Sequence, residues 1–534
     1  MYCSSLVFGI LVTLSIAWLF GTQKDKELLI NTMLFSVATL VESNQTRDQM
    51  TEFWNKHSMA QSVEEMMLDS KAETLTQDEH PEVMGMLPNI KGKDVLELGA
   101  GIGRFTGDIA QEARHVTAVD FMQSFTDKNK EVNGAKFNNI DFVCADVTKL
   151  ELPKGSYDVI FSNWLLMYLS DEELEKLAMN MLLWLRDGGH LFFRESCYHS
   201  SGDMKNSENP TVYRTPQMYT EVFSAVKVKL PNGNSSSLEV VTKRSVEAYA
   251  KHKQNKHQFS WLWKKVMLKN GSKGNMQEFL DNNQYNKAGI LMYERVFGKG
   301  FVSPGGMTTM KEFVGRLNLQ KDQHILDLGC GIGGSAFYIA NTYHAHVLGM
   351  DLSTNMINFA LKAYESSKSS QVQFEVSDAS TREFPAERFD AVYSRETILH
   401  IKDKKALLKK ILSWLKPGGQ LLITDYCCSR GEHSELFKKY LAERQYHLID
   451  VESYGKMLRE VGFEAVTAED RTTQFTQILE SELKNFEKSK EEFIKDFSSE
   501  DYSSLVNSWT NKLTRCRGGE HTWGVFYARK PVTS

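Results

Sequence analysis

Six acidic residues and two glycine-rich turns set the chemistry open to this chain. Glu97 stands two residues before the first glycine of Asp94-Val-Leu-Glu-Leu-Gly-Ala-Gly-Ile-Gly103, and Asp327 holds the same place in His324-Ile-Leu-Asp-Leu-Gly-Cys-Gly-Ile-Gly333. Asp120 and Asp351 close the next apolar runs, and Asp146 and Asp378 follow the third. Glycines let the backbone approach a ligand closely, and an acid at the end of a second strand accepts hydrogen bonds from ribose hydroxyls. The third acid is placed to take an adenine amino group. Each acid alone could be an N-cap or a turn residue. Three of them in one order, in two copies 230 positions apart, describe a duplicated nucleotide-cofactor cradle.

The details choose the cofactor. A nicotinamide fingerprint wants Gly-x-Gly-x-x-Gly. The first copy has Arg104 at the last position; the second has Gly334 and matches literally, which shows how little that spacing decides alone. Glu97 and Asp327 favour S-adenosylmethionine (SAM), because a carboxylate near the loop suits its cationic methionyl end.

Alternating strand and helix patterns on either side of these motifs predict an α/β fold of two tandem Rossmann-like, doubly wound sheets. Strands are expected at Val95–Leu98, His115–Val119, Ile140–Cys144, Asp158–Phe161 and His190–Phe193. Their counterparts are Ile325–Leu328, His346–Gly349, Gln373–Val376, Asp390–Tyr393 and Gln420–Thr424. Trp184-Leu-Arg-Asp-Gly-Gly189 and Trp414-Leu-Lys-Pro-Gly-Gly419 each end a helix and return the chain to the sheet. The expected division is an extension over 1–45, a first domain over 46–227, a connecting region over 228–280 and a second domain over 281–534. Residues 46–90 and 281–320 carry helical apolar spacing ahead of each glycine loop and read as lids.

The 534 residues suit two domains, and a net charge of −5 gives no electrostatic footprint for nucleic acid. Seven cysteines show no metal-ligand spacing and fit reduced thiols; no metal is expected. Tyr2 to Gly21 is uncharged and near the length of a bilayer-spanning helix, with Lys24 and Lys26 after it. As an anchor it would leave the body cytoplasmic; the alternatives are an apolar helix docked on the protein or a misassigned start site, and a cleaved signal peptide is disfavoured because no basic residue precedes the run. Asn44-Gln-Thr46 matches a glycosylation sequon and carries little weight.

The copies diverge after the fourth strand, at Phe161-Ser-Asn-Trp-Leu-Leu-Met-Tyr-Leu-Ser-Asp171 and Tyr393-Ser-Arg-Glu-Thr-Ile-Leu-His-Ile-Lys-Asp403, so that Tyr168 and His400 are equivalent. With Phe53-Trp-Asn-Lys-His-Ser58, Ser62-Val-Glu-Glu-Met-Met-Leu-Asp-Ser70, Tyr293-Glu-Arg-Val-Phe-Gly298 and Thr424-Asp-Tyr-Cys427, these stretches carry a resemblance. From about Thr46 onward the chain resembles the tandem phosphoethanolamine N-methyltransferases. The resemblance implies two methyltransferase domains, two SAM sites, and three methyl transfers from phosphoethanolamine to phosphocholine. The first domain would take the first methyl and the second domain the other two. It implies a monomer acting on small phosphobases.

By the same resemblance, Tyr285 and His400 form a base dyad. Gln284, Tyr285, Tyr293, Tyr426, Arg444, Tyr446 and Lys512 hold the phosphobase in the second domain. Ser303, Gly329, Asp351, Leu352, Asp378, Ala379 and Arg395 hold its SAM. In the first domain the cofactor residues are Gly99, Arg104, Asp120, Asp146, Val147 and Asn163. Ser196, Ser201, Gly202 and Tyr213 would touch the phosphobase, with Arg214 and Tyr219 as further candidates, and His57 or Tyr168 as the base. Asn206 stands where relatives often carry a basic side chain. The chemistry is coherent: the substrate ammonium has a pKa near that of lysine, about 10.4, and only the neutral amine has a lone pair to take a methyl. A planar Arg444 fork and a Lys512 point charge suit a phosphate.

Overall fold

The computed structural model describes residues 47–56, 62–201, 209–231, 233–268, 274–367, 369 and 371–532. His57, Gly202, Asn206, the sequon and the apolar segment 2–21, with the N-terminal helix expected there, lie outside the described residues. Among the described residues no helix is long and apolar enough to cross a membrane.

Among the described residues, fifteen strands form one mixed sheet. In the first half, β1 (Asp94–Leu98), β2 (His115–Asp120), β3 (Ile140–Cys144), β4 (Tyr157–Asn163) and β5 (Leu185–Ser196) run parallel in the order β3-β2-β1-β4-β5. Parallel strands covered by helices on both faces must be apolar throughout; Leu96 and Leu98 of β1 are fully buried, like Leu326 and Leu328 in the second half. The second half repeats the plan with β9 (His324–Leu328), β10 (His346–Asp351), β11 (Val372–Ser377), β12 (Phe389–Arg395) and β13 (Leu415–Cys428). There β15 (His521–Arg529) runs antiparallel beside β13, and β14 (Glu464–Asp470) follows at the edge.

The stretch 228–280, expected as a connecting region, supplies the matching strands of the first half. β8 (Gln258–Leu268) pairs antiparallel with β5, and β7 (Ser235–Ser245) pairs with β8. A hairpin joins β6 (Lys227–Lys229) to β7, and the Leu230 amide meets the Asn234 carbonyl at 2.9 Å. β7 escapes a sequence reading because serines open it and Thr242, Lys243, Arg244 and Ser245 close it, so its ends look like loop. The far edge of β7 then pairs antiparallel with β11, Thr242–Arg244 against Glu375–Ser377, and fuses the two halves.

Side chains brace that junction on the helix Thr354–Ser366. The buried Lys243 donates to Asn358 Oδ1 at 2.7 Å, and Lys256 donates to the carbonyls of Tyr364 and Ser367 at 3.1 and 2.9 Å. The second cation sits at a helix C-terminus, where unpaired carbonyls favour positive charge.

Candidate active sites

The two cradles share one backbone design. Gly99 and Gly329 leave their strands at φ +72° and +78°, a conformation that side chains rarely adopt. The turn then folds back on the acid of the second strand: the Gly101 amide donates to Asp120 Oδ2 at 2.8 Å, and the Gly331 amide to Asp351 Oδ2 at 3.0 Å. The other carboxylate oxygen accepts from Met122 or Ser353 at 2.9 or 2.8 Å. Burial pushes both acids up to about 6. Gly334 has a packing reason: a Cβ there would run into the Gly300 carbonyl and the Phe301 ring.

The first cavity, of about 140 Å³, is lined by the expected Gly99, Arg104, Asp120, Asp146, Val147 and Asn163, and by Ser196, Ser201 and Tyr213. Arg104 pairs with the buried Glu79 at 2.6 Å through Nη2, while its Nε and Nη1 have no partner among the described residues. Two unsatisfied donors at the cavity wall fit the carboxylate of a methionyl group. Glu97 also lines the cavity and accepts from Thr106 Oγ1 at 2.6 Å; burial pushes it up to about 8. Tyr168 lines the cavity at the position of His400, and burial, followed by the charge of Tyr213, pushes its phenol up, so it stays protonated. No described lining residue is a histidine.

The second half has two adjoining cavities. One, of about 110 Å³, is lined by Ser303, Gly329, Asp351, Leu352, Asp378, Ala379 and His400. The other, of about 60 Å³, is lined by Gln284, Tyr293, Arg444, Trp509, Lys512 and Arg515. Tyr285, Tyr426 and Tyr446 border both. Tyr285 follows a π-helical turn, Leu280–Gln284, which Asp281 pins to the start of the helix Thr354–Ser366 by accepting the Thr354 and Asn355 amides at 3.2 Å. Gln284 Nε2 donates to the Tyr446 hydroxyl at 2.9 Å and to the Tyr285 hydroxyl at 3.2 Å. The Lys512 ammonium meets the Tyr426 hydroxyl at 3.2 Å; burial, then the Arg444 charge, pushes it down to about 8. The Arg515 guanidinium stacks 3.8 Å above the Tyr440 ring. Three cations in an aromatic cavity make an anion site.

His400 ends a short helical turn, Ile398–His400, with its ring edge-on to Tyr446 at 5.0 Å between centroids. Neither ring nitrogen has a hydrogen-bond partner among the described residues, so no Tyr285–His400 hydrogen bond is formed. Burial, then the charges of Lys404, His447 and Arg444, pushes the imidazole down to about 3.

Four expectations are corrected. Arg395 is buried behind the cofactor loop and does not line the cavity; it donates to the carbonyls of Pro304 and Gly306, the latter at 2.9 Å. Arg214 is buried too, tied to the carbonyls of Leu166 and Leu169 at 3.1 and 2.6 Å and to Asp171 at 2.7 Å, which fixes the turn that carries Tyr168. Tyr219 lies in the core against Trp261 and away from the cavity. Asp327 is buried outside the cavity lining, unlike Glu97. The sequence reading missed Arg47, Met50 and Trp54 over the first cavity, and Tyr440, Trp509 and Arg515 in the second half. Trp509, Lys512 and Arg515 recur every three residues on the helix Ser499–Arg517, a spacing that puts them on one face.

Two glycine-loop cradles on one sheet, each closed on the acid of its second strand, mark a tandem SAM-dependent methyltransferase, and residues 95–189 and 319–487 each match a family model described as a methyltransferase domain. Phosphoethanolamine N-methyltransferase 1 of Triticum aestivum is 53% identical over 486 residues, covering 91% of this chain and 97% of the relative. Its Arabidopsis thaliana namesake is 51% identical over 486 residues, with 91% and 98% covered. The chain belongs to the phosphoethanolamine N-methyltransferases. Among solved structures, Haemonchus contortus phosphoethanolamine N-methyltransferase 2, in complex with phosphomonomethylethanolamine and S-adenosylhomocysteine, superposes with a TM-score of 0.69 at 29% identity, covering 86% of this chain and 98% of that one.

Proposed function

We propose that the protein methylates phosphoethanolamine to phosphocholine through the mono- and dimethyl intermediates, the first unit adding the first methyl and the second unit the other two. The observation that carries this is the pair of adjoining cavities in the second half: a nucleoside cradle on one side, a three-cation pocket on the other, and Tyr285, Tyr426 and Tyr446 at the border. SAM, when bound in each cradle, supplies a methyl group on a cationic sulfur. The residues proposed for it in the second unit are Ser303, Gly329, Asp351, Leu352, Asp378 and Ala379, with Arg395 shaping the loop from behind. In the first unit they are Gly99, Arg104, Asp120, Asp146, Val147 and Asn163.

In the second unit Arg444, Lys512, Tyr293 and Tyr426 would hold the phosphate, and Gln284, Tyr285 and Tyr446 would orient the amine end. His400 is neutral and free to accept a proton, but its low pKa makes it a weak base in the free protein. Arg444 is among the charges that weaken it. A phosphate dianion against Arg444 would offset that charge, so filling the grip would strengthen the base. In the first unit Ser196, Ser201 and Tyr213 would face the phosphobase, and the protonated Tyr168 would orient it without serving as the base.

We place the boundary between the units after β8, which leaves 275–534 as the second. A monomer is the proposed working form. Tethering of a cytoplasmic body through segment 2–21 would show as loss of membrane association when 1–45 is removed. The test of function is methylation of phosphoethanolamine and of its mono- and dimethyl forms by the full chain. The expected result is phosphocholine from all three; turnover of none would overturn the reading.

A further inference from the structure

A hydrogen-bonded chain links Trp164, Ser196 and Ser201 of the first cavity's lining through Gln258, which lies outside that lining. The Trp164 indole Nε1 donates to Gln258 Oε1 at 2.8 Å, Gln258 Nε2 donates to Ser196 Oγ, and Ser196 Oγ lies 3.1 Å from Ser201 Oγ. Gln258, on β8, is fully buried, Ser196 is 3% exposed, and both serines line the cavity. The direction of this chain is not a free choice. Indole nitrogen is a donor only, so it fixes which end of the Gln258 amide faces it. The amide nitrogen must then face Ser196, whose oxygen accepts. The one hydroxyl hydrogen of Ser196 points onward, either into the cavity or to Ser201, whose own hydrogen is then the one released. Whichever serine ends the chain, it ends as a donor.

We infer that Gln258 is a positioning residue that polarises the Ser196–Ser201 pair as hydrogen-bond donors toward an anionic group of the first site's substrate. This rests on the proposed phosphobase site and gives that unit a phosphate grip of different make from the cationic one in the second. The nearby cation, Lys253, is already paired with the buried Asp69 and donates to the Ser201 carbonyl at 3.5 Å. By register, Gln258 pairs with Ser196 across β8 and β5 as Trp523 pairs with Tyr426 across β15 and β13. In the second half the indole of that pair donates to Glu396 at 2.9 Å, so donor and acceptor have exchanged strands.

The test uses the full chain carrying His400→Ala, so that turnover of phosphoethanolamine reports the first site. Gln258→Glu places acceptors at both ends, turns the Ser196 hydrogen inward, and is expected to raise KM by about ten- to a hundredfold, with kcat changed less than about threefold. S-adenosylhomocysteine affinity, measured by titration calorimetry, should hold. Gln258→Met should raise KM, and in a Ser196→Ala background should add almost nothing, because the two act through one hydroxyl. Where the Glu variant fails to fold, Trp164→Phe, which frees the amide to turn over, should raise KM several-fold. Unchanged KM, additive effects in the double variant, or parallel losses of kcat and cofactor affinity would overturn the inference. Absence of phosphoethanolamine turnover in the His400→Ala parent would instead sink the reading it rests on.

Discussion

The two halves keep the same cofactor cradle and solve the substrate problem differently. Between its last two strands the first half inserts one short helix, Glu247–Lys253, where the second inserts three, Thr472–Lys488, Lys490–Asp496 and Ser499–Arg517. The last of these brings Trp509, Lys512 and Arg515 to the pocket, and the described residues of the first half include no equivalent helix. In the inference drawn above, its hydroxyl chain would fill that role. Supporting charges have also moved between strands. The first half carries Asn163 on β4 and Arg194 on β5, while the second carries Arg395 on β12 and Thr424 on β13. Arg194 and Arg104 share Glu79, whereas Arg395 holds loop carbonyls. The turn below Tyr168 is fixed by Arg214 and that below His400 by Lys404, which donates to the carbonyls of Ile398 and Ile401 at 2.6 and 3.0 Å. At the turns that carry Tyr168 and His400, duplication preserved the contact and not the residue that makes it.

The comparison breaks most sharply at His400. His400→Ala should lower turnover of phosphomonomethylethanolamine by about a hundred- to ten-thousandfold, the usual worth of a general base. Conversion of phosphoethanolamine to the monomethyl product, followed by mass spectrometry, should survive. Lys512→Met comes next: loss of a charge-assisted bond should raise KM for the monomethyl substrate about ten- to a hundredfold, leaving phosphoethanolamine KM at the first site unchanged.

Arg104→Met should weaken S-adenosylhomocysteine at the first site by about tenfold and spare the second, where Gly334 stands instead, so calorimetry would resolve one weak and one normal site. The smallest effect is in pH. Lys512 is depressed to about 8, so it is charged below that value and neutral above it. Phosphocholine, whose nitrogen does not titrate, should therefore bind the second site several-fold more weakly as pH rises through about 8, and Lys512→Arg should remove that fall.

The cradles were legible because glycine spacing and strand-end acids are local: a few consecutive residues contain the whole geometry. The strands β7 and β8 were not, since their partners β5 and β11 are remote in sequence and their Lys243 and Arg244 look solvent-bound until the halves fuse. Arg395, Arg214 and Tyr219 show a further limit. Residue type and position placed them near a site, but which way each side chain turns depends on the carbonyls and rings packed behind it. Gln258 left no signal because its partners Trp164 and Ser196 meet it only across the sheet.

Product distribution in two full-length variants tests the division between the units most directly. With phosphoethanolamine supplied, Asp351→Asn should stop at phosphomonomethylethanolamine, while Asp120→Asn should leave phosphoethanolamine untouched yet carry added monomethyl substrate to phosphocholine. Identical product profiles from both variants would contradict the assignment of one substrate task to each half.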